Sequence, residues 1–123
     1  ESCKKMKRMI NKRIFLFAWT LFVLLLIIWP MAEGAEVDSG NLDKAIHFFL
    51  FGVFAYLLAI NIENKLSAVK ITLIAFIAGC LYSYLAEVIQ LYIPGRYYSR
   101  FDLAAGIIGV CVFLAIFYVR QRK

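Results

Sequence analysis

The sequence of 123 residues has little of what a soluble enzyme of its size normally carries. Only 18% of its residues are charged and 63% are hydrophobic, and a soluble domain with that balance would not stay in solution. The chain has one histidine, so a conventional zinc site is not expected. It also lacks a glycine-rich phosphate loop and a nucleophile elbow. These absences leave an integral membrane protein as the expected class.

Cysteine is scarce as well, and the three cysteines form an odd set: Cys3, Cys80 and Cys111. Cys3 lies in a basic segment, whereas the other two lie in separate apolar runs. Neither a disulfide framework nor the spacing of a zinc site is present. We therefore predict that Cys80 and Cys111 are small buried apolar residues, and we expect no metal and no cofactor.

Four apolar runs account for most of the chain: residues 14–31, 45–61, 71–93 and 102–119. Each is close to the roughly 20 residues that cross a hydrocarbon core of about 30 Å as a helix. The first run could be a signal peptide, but it exceeds the apolar length of about 7 to 15 residues typical of one. We predict a single domain over residues 1–123, an all-α transmembrane bundle of four helices. Small residues in three of the runs should let these helices pack closely: Gly52, Ala55, Ala59, Gly79, Ser83, Ala105, Gly106 and Gly109.

Lysine and arginine are unevenly distributed along the chain. Eleven lie in the terminal segments and in the connection between the second and third runs, and three lie in the other two connections: Lys44, Arg96 and Arg100. Because short cytoplasmic segments retain Lys and Arg, both termini are predicted to be cytoplasmic. The same clustering accounts for the formal charge of +6, so no nucleic-acid partner is expected.

Polar side chains recur at the ends of three runs that this orientation places outside. Asp43 and His47 lie one helical turn apart, and Glu87 and Gln90 share a face of the third helix. A charge within the hydrocarbon costs about 2.5 to 3.5 kcal/mol, so such residues indicate a functional site. We predict one ligand-binding site that is made of Asp43, Lys44, His47, Glu87, Gln90, Arg96, Ser99 and Asp102.

The cationic part of this cluster suits an anionic ligand. Arg96, Arg100 and Lys44 supply donors, and arginine can hold a phosphate or carboxylate through two parallel hydrogen bonds. The alternative is that the arginines snorkel, or pair with Asp43 and Asp102 and hold the rim of the bundle together. The two aspartates could also cap their helices.

His47 and Glu87 are the candidate catalytic residues, because each lies inside a predicted span. A carboxyl group at that depth must be protonated, paired or solvated. If Glu87 pairs with His47 or Arg96, the pair could act in an acid–base step. The alternative is a structural ion pair.

Three motifs and a glycine together resemble the signature of the VanZ-like family of small bacterial membrane proteins: Asp43-Lys44-x-x-His47-Phe48, Glu87-x-x-Gln90, Gly95-Arg96-x-x-Ser99-x-x-Asp102 and Gly109. The chain differs from the family pattern at Gly106, where asparagine is usual, and at Phe113, where glycine is common. The resemblance implies a multi-pass protein of the bacterial cell (inner) membrane. It also implies a link to low-level resistance to the glycopeptide antibiotic teicoplanin, without an assigned reaction for most members.

Three functions remain open at this point. The first is binding of an anionic membrane lipid or lipid-linked envelope precursor, with an effect on teicoplanin susceptibility. The second is an enzyme acting on a lipid-linked phosphate or glycan precursor, in which Arg96 and Lys44 hold the phosphate and His47 or Glu87 is the acid–base group. The third is a structural or assembly partner in the envelope. No recognisable catalytic motif favours the enzyme.

Overall fold

The computed structural model describes residues 2–28, 40–63, 66–92 and 100–122. These residues form four α-helices and no strand: α1 (Ser2–Ile28), α2 (Gly40–Asn61), α3 (Ala68–Gln90) and α4 (Arg100–Arg122). All four helices are long and apolar enough to cross a membrane. The predicted all-α fold with four spans is confirmed, and the chain is a multi-pass membrane protein.

Most helix boundaries differ from those of the predicted runs. α1 begins at Ser2 rather than near residue 14, because its basic segment contains no glycine or proline and is rich in good helix formers. α3 begins at Ala68 and ends at Gln90. Ser67 caps its start, with its side-chain oxygen accepting a hydrogen bond from the backbone N–H of Lys70. At the side of the termini, α1, α3 and α4 thus extend beyond the apolar runs, and at the opposite side α2 begins at Gly40, ahead of its run.

The helices alternate in direction, so the bundle has two chemically different ends. His47, near the start of α2, meets Glu87, near the end of α3. At the opposite end, Glu63 follows α2 and joins two other helices: its carboxylate accepts hydrogen bonds from Lys12 Nζ at 2.7 Å and Gln121 Nε2 at 3.1 Å. We call the first the polar end, and the second, which also carries the cations of α1, the basic end.

α2 and α3 form the centre of the bundle. Each contacts the three other helices, whereas α1 and α4 do not contact each other within the described residues. Hydrogen bonds attach α1 to this centre: Trp19 Nε1 donates to the carbonyl of Leu50 and the Tyr82 hydroxyl to the carbonyl of Thr20, both at 2.9 Å, and Asn61 Nδ2 donates to the carbonyl of Lys12 at 3.2 Å. These bonds fix the outermost helix in register with α2 and α3.

α2 and α4 approach each other most closely at glycines. A Cβ on Gly109 would overlap the backbone carbonyl of Phe48, so only glycine fits there. A Cβ on Gly52 would collide with the ring of Phe113 and lie 2.8 Å from the carbonyl oxygen of Gly109. Phe113 thus uses the space that Gly52 leaves open. The predicted close packing by small residues is confirmed at these positions.

Candidate functional site

The polar end contains a buried contact between a histidine and a glutamate of two transmembrane helices. Nε2 of His47 lies 3.3 Å from Oε1 of Glu87. His47 is 7% exposed and Glu87 is fully buried. The pairing was one of the alternatives that the sequence left open, and the structure selects His47 as a partner of Glu87. Each group reduces the cost of burying the other, because an isolated charge at this depth would be far more expensive.

The local sequence of α3 explains why Glu87 points inward. Ser83, Glu87 and Gln90 recur at intervals of four and three residues, which places them on one helix face. All three are buried, whereas Leu85 and Tyr84, on other faces, are exposed. The polar stripe of α3 therefore faces the bundle, as the sequence predicted, together with small and apolar residues such as Ala75 and Ala86.

Asp102 completes a cluster from three helices. It lies in the first turn of α4, where the helix dipole favours a carboxylate. One ligand-capable atom each of His47, Glu87 and Asp102 lies within 4.8 Å of the others. We call these three residues the acid–histidine centre. The structure therefore brings together three of the predicted site residues that are distant in sequence.

Asp43 and Asp102 lie near the starts of their helices, since α2 begins at Gly40 and α4 at Arg100. A carboxylate in the first turn suits the helix dipole, so the alternative that the two aspartates stabilise their helix starts stays a prediction. Asp43 belongs to α2 by its backbone, and its side chain lies outside the described part of the protein. Arg96 and Ser99 also lie outside the described residues.

Two cations lie at the rim of the polar end. Lys44 and Arg100 are both exposed, and the Lys44 Nζ lies 5.2 Å from the centroid of the Phe101 ring. This cation–π contact joins the start of α2 to the start of α4 without neutralising the lysine. The rim is therefore positively charged and accessible. In the acid–histidine centre beneath it, His47 and Glu87 are buried and Asp102 is partly buried.

The acid–histidine centre has the donor atoms that a divalent cation prefers. One imidazole nitrogen and two carboxylate oxygens are a common ligand set for zinc and related metals. The 3.3 Å between His47 Nε2 and Glu87 Oε1 is close to the separation of about 3.3 Å that two ligands have on a tetrahedral ion with bonds of about 2.0 Å. His47, Glu87 and Asp102 are thus the residues that could hold a metal; the expectation of none, based on the single histidine, stays a prediction.

Ser83 was not among the site residues predicted from the sequence. Its Oγ is fully buried and has no hydrogen-bond partner among the described residues. A Cβ on Gly106 of α4 would lie 2.6 Å from this oxygen, so the hydroxyl faces the seam between α3 and α4 one turn below Glu87. The position of Ser83 four residues before Glu87 is the signal that could have identified it.

A family model described as VanZ/LLP1 matches residues 3–121. The matched region contains all four helices apart from their outermost residues, together with every residue of the acid–histidine centre. No curated protein and no solved structure matches the chain significantly.

Proposed function

The chain belongs to the VanZ/LLP1 family, and on this basis we propose that its polar end binds an anionic ligand of the bacterial cell envelope and thereby alters teicoplanin susceptibility. The observation that carries the proposal is the fully buried Glu87 beside His47. Packing alone does not require an ionisable pair at that position, since apolar residues of similar volume stabilise a membrane bundle at least as well.

The rim supplies the groups that would hold an anion. Lys44 and Arg100 are exposed at the same end as the acid–histidine centre, and Arg96 lies in the connection between α3 and α4. Arginine and lysine bind phosphate and carboxylate through charge-assisted hydrogen bonds. A lipid headgroup or lipid-linked precursor could meet these cations at the membrane surface while its chain stays in the bilayer.

The buried pair has a separate role in this proposal. Two carboxyl groups below the cations attract the rim side chains inward and oppose an anion that enters too deeply. His47 can donate a hydrogen bond to a bound ligand or to Glu87, depending on its protonation. The acid–histidine centre would thus orient the cations of the rim and set the depth at which the ligand binds. The distribution of Lys and Arg predicts that this end lies on the outer side of the membrane.

A susceptibility assay tests this function. A glycopeptide-susceptible Gram-positive host would express the wild type, His47→Gln, Glu87→Gln or Arg96→Ala at matched membrane levels. The wild type should raise the inhibitory concentration of teicoplanin, and each variant should lose the increase. Glu63→Gln is the matched control, because it removes a carboxylate at the basic end and should keep the phenotype. An increase that persists in all three polar-end variants would contradict the site assignment.

A second candidate function is an enzyme that acts on a lipid-linked phosphate or glycan precursor. The observation that favours it is the contact between His47 and Glu87, because a carboxylate that orients an imidazole is a common acid–base arrangement. Lys44 and Arg96 would hold the phosphate. Purified protein incubated with envelope lipid extract should then change the mass of a lipid, and Glu87→Gln should not. Binding without any mass change would favour the first function.

A further inference from the structure

The basic end contains a groove between α1 and α2 that the function proposed above does not use. Its volume is about 600 Å³, within the range of about 300 to 1,000 Å³ usual for ligand sites. Four cations of α1 line it, namely Lys4, Lys7, Arg8 and Lys12, beside the apolar residues Phe15, Leu57 and Ile60. The groove thus has a cationic part beside an apolar part. A phospholipid has the matching arrangement, because its anionic headgroup adjoins an apolar acyl chain.

The length of α1 places the groove at the level of the lipid headgroups. α1 has 27 residues and is therefore about 40 Å long, whereas the hydrocarbon core is about 30 Å thick. Its apolar part starts at Ile14, so the turns that carry the cations extend beyond the hydrocarbon. Phe15 lies at the boundary, where an acyl chain begins.

The positive charge of this segment is not balanced within its own helix. α1 contains no acidic residue, and Lys4 lies three residues from Lys7 and four from Arg8, spacings at which like charges repel. The start of a helix is also the positive end of its dipole. Glu63 engages Lys12 at 2.7 Å. An anion beside Lys4, Lys7 and Arg8 would relieve both the repulsion and the unfavourable dipole.

We propose that this groove binds an anionic glycerophospholipid of the surrounding membrane. Its phosphate would contact Lys4, Lys7 and Arg8, and the first part of an acyl chain would pack on Leu57 and Ile60. Basic pockets between transmembrane helices suit anionic headgroups, and arginine binds phosphate with a planar fork of donors. The Lys and Arg bias predicts this end to face the cytoplasmic leaflet, which carries anionic lipids. The site is independent of the ligand at the polar end.

Native mass spectrometry of the purified full chain in a neutral detergent tests the proposal, with phosphatidylglycerol and phosphatidylcholine as probes. The site variant is Lys7→Gln/Arg8→Gln. The control variant, Lys5→Gln/Arg13→Gln, removes one lysine and one arginine from the same segment, at exposed positions that do not line the groove. We expect the wild type and the control to prefer phosphatidylglycerol, and the site variant to bind it at least about tenfold more weakly than the control.

Several results would overturn the proposal. Equal losses in the two double variants would indicate diffuse attraction to the whole basic segment, and equal binding of phosphatidylcholine would remove the role of charge. Displacement of the lipid by deacylated glycerophosphoglycerol would indicate a site for a free phosphate ester. A dimer in place of a lipid adduct would assign the groove to a second copy. If the double variant does not fold, Arg8→Gln against Arg13→Gln gives the same comparison with one charge.

Discussion

The imidazole of His47 and the carboxylate of Glu87 meet at 3.3 Å between α2 and α3, and Glu87 has no exposed surface. This pair joins the two central helices of the bundle near its polar end, where both side chains are buried and an unpaired charge would be costly. It is therefore a polar contact between these helices that packing alone does not explain.

We predict that the stabilities conferred by His47 and Glu87 are coupled. His47→Leu and Glu87→Met should each lower the free energy of unfolding by about 3 kcal/mol or more, because each leaves a buried polar group without this partner. The double variant should lose less than the sum of the two by about 1 to 3 kcal/mol. Unfolding in mixed detergent micelles, followed by circular dichroism, measures all four values. Strict additivity would show that the two groups do not stabilise each other.

Gly109→Ala should separate α2 from α4. The added methyl would overlap the carbonyl of Phe48, and a backbone atom cannot rotate away as a side chain can. Overpacking of this kind costs about 1 to 3 kcal/mol, which should exceed the gain of about 1 kcal/mol in helix propensity. The control is Ala104→Leu, which adds more volume on an exposed face of the same helix. Equal stability of Gly109→Ala and the wild type would contradict the close approach.

Ser83 and Gly106 should show a coupling of their own. A Cβ on Gly106 would lie 2.6 Å from the Oγ of Ser83, 3.0 Å from Cδ2 of Phe51 and 3.5 Å from the Cβ of Ser83, so the hydroxyl is the nearest atom in conflict and the Phe51 ring the second. Gly106→Ala should therefore destabilise the wild type by more than it destabilises Ser83→Ala. The same unfolding measurement gives both differences. If Gly106→Ala lowers the free energy of unfolding by the same amount in the wild type and in Ser83→Ala, the hydroxyl of Ser83 does not face Gly106.

The membrane orientation can be tested with a native cysteine. Cys3 is exposed near the start of α1, outside the apolar run. Cys80 is partly buried and Cys111 is exposed, so the prediction that both are buried is wrong for Cys111, but both lie well inside the membrane-spanning helices α3 and α4. A thiol reagent that cannot cross membranes should label the protein in inverted vesicles and not in intact cells, because the basic end is predicted to be cytoplasmic. Cys3→Ser should abolish the labelling. Labelling in intact cells would reverse the predicted topology.

Much of the fold follows from the sequence because a bilayer permits few solutions. Four apolar runs, separated by short polar connections, can form only spanning helices, and the helices of the structure follow these runs. The error at α1 has a physical cause: apolarity marks where the hydrocarbon ends, whereas the helix continues through Lys and Arg residues that are good helix formers. Helix boundaries and membrane boundaries are different quantities.

The candidate site was predictable in its membership but not in its contacts. The inward stripe of Ser83, Glu87 and Gln90 follows from helical spacing, whereas the choice of His47 as a partner of Glu87 depends on how α2 and α3 pack. Sequence spacing within one helix carries no information about that packing. The close approach of Ser83 to Gly106 likewise arises from two helices, so helical spacing places Ser83 on the inward face but does not predict which residue of α4 it meets.

Native mass spectrometry of the protein with its co-purified lipids tests the central claim most directly. The wild type should retain an anionic envelope ligand, and Glu87→Gln and Arg96→Ala should lose it. Glu63→Gln should retain it, and so should Lys7→Gln/Arg8→Gln, which removes only the separate groove at the basic end. The same adduct at the same abundance in Glu87→Gln, Arg96→Ala and the wild type would contradict an anion site at the polar end.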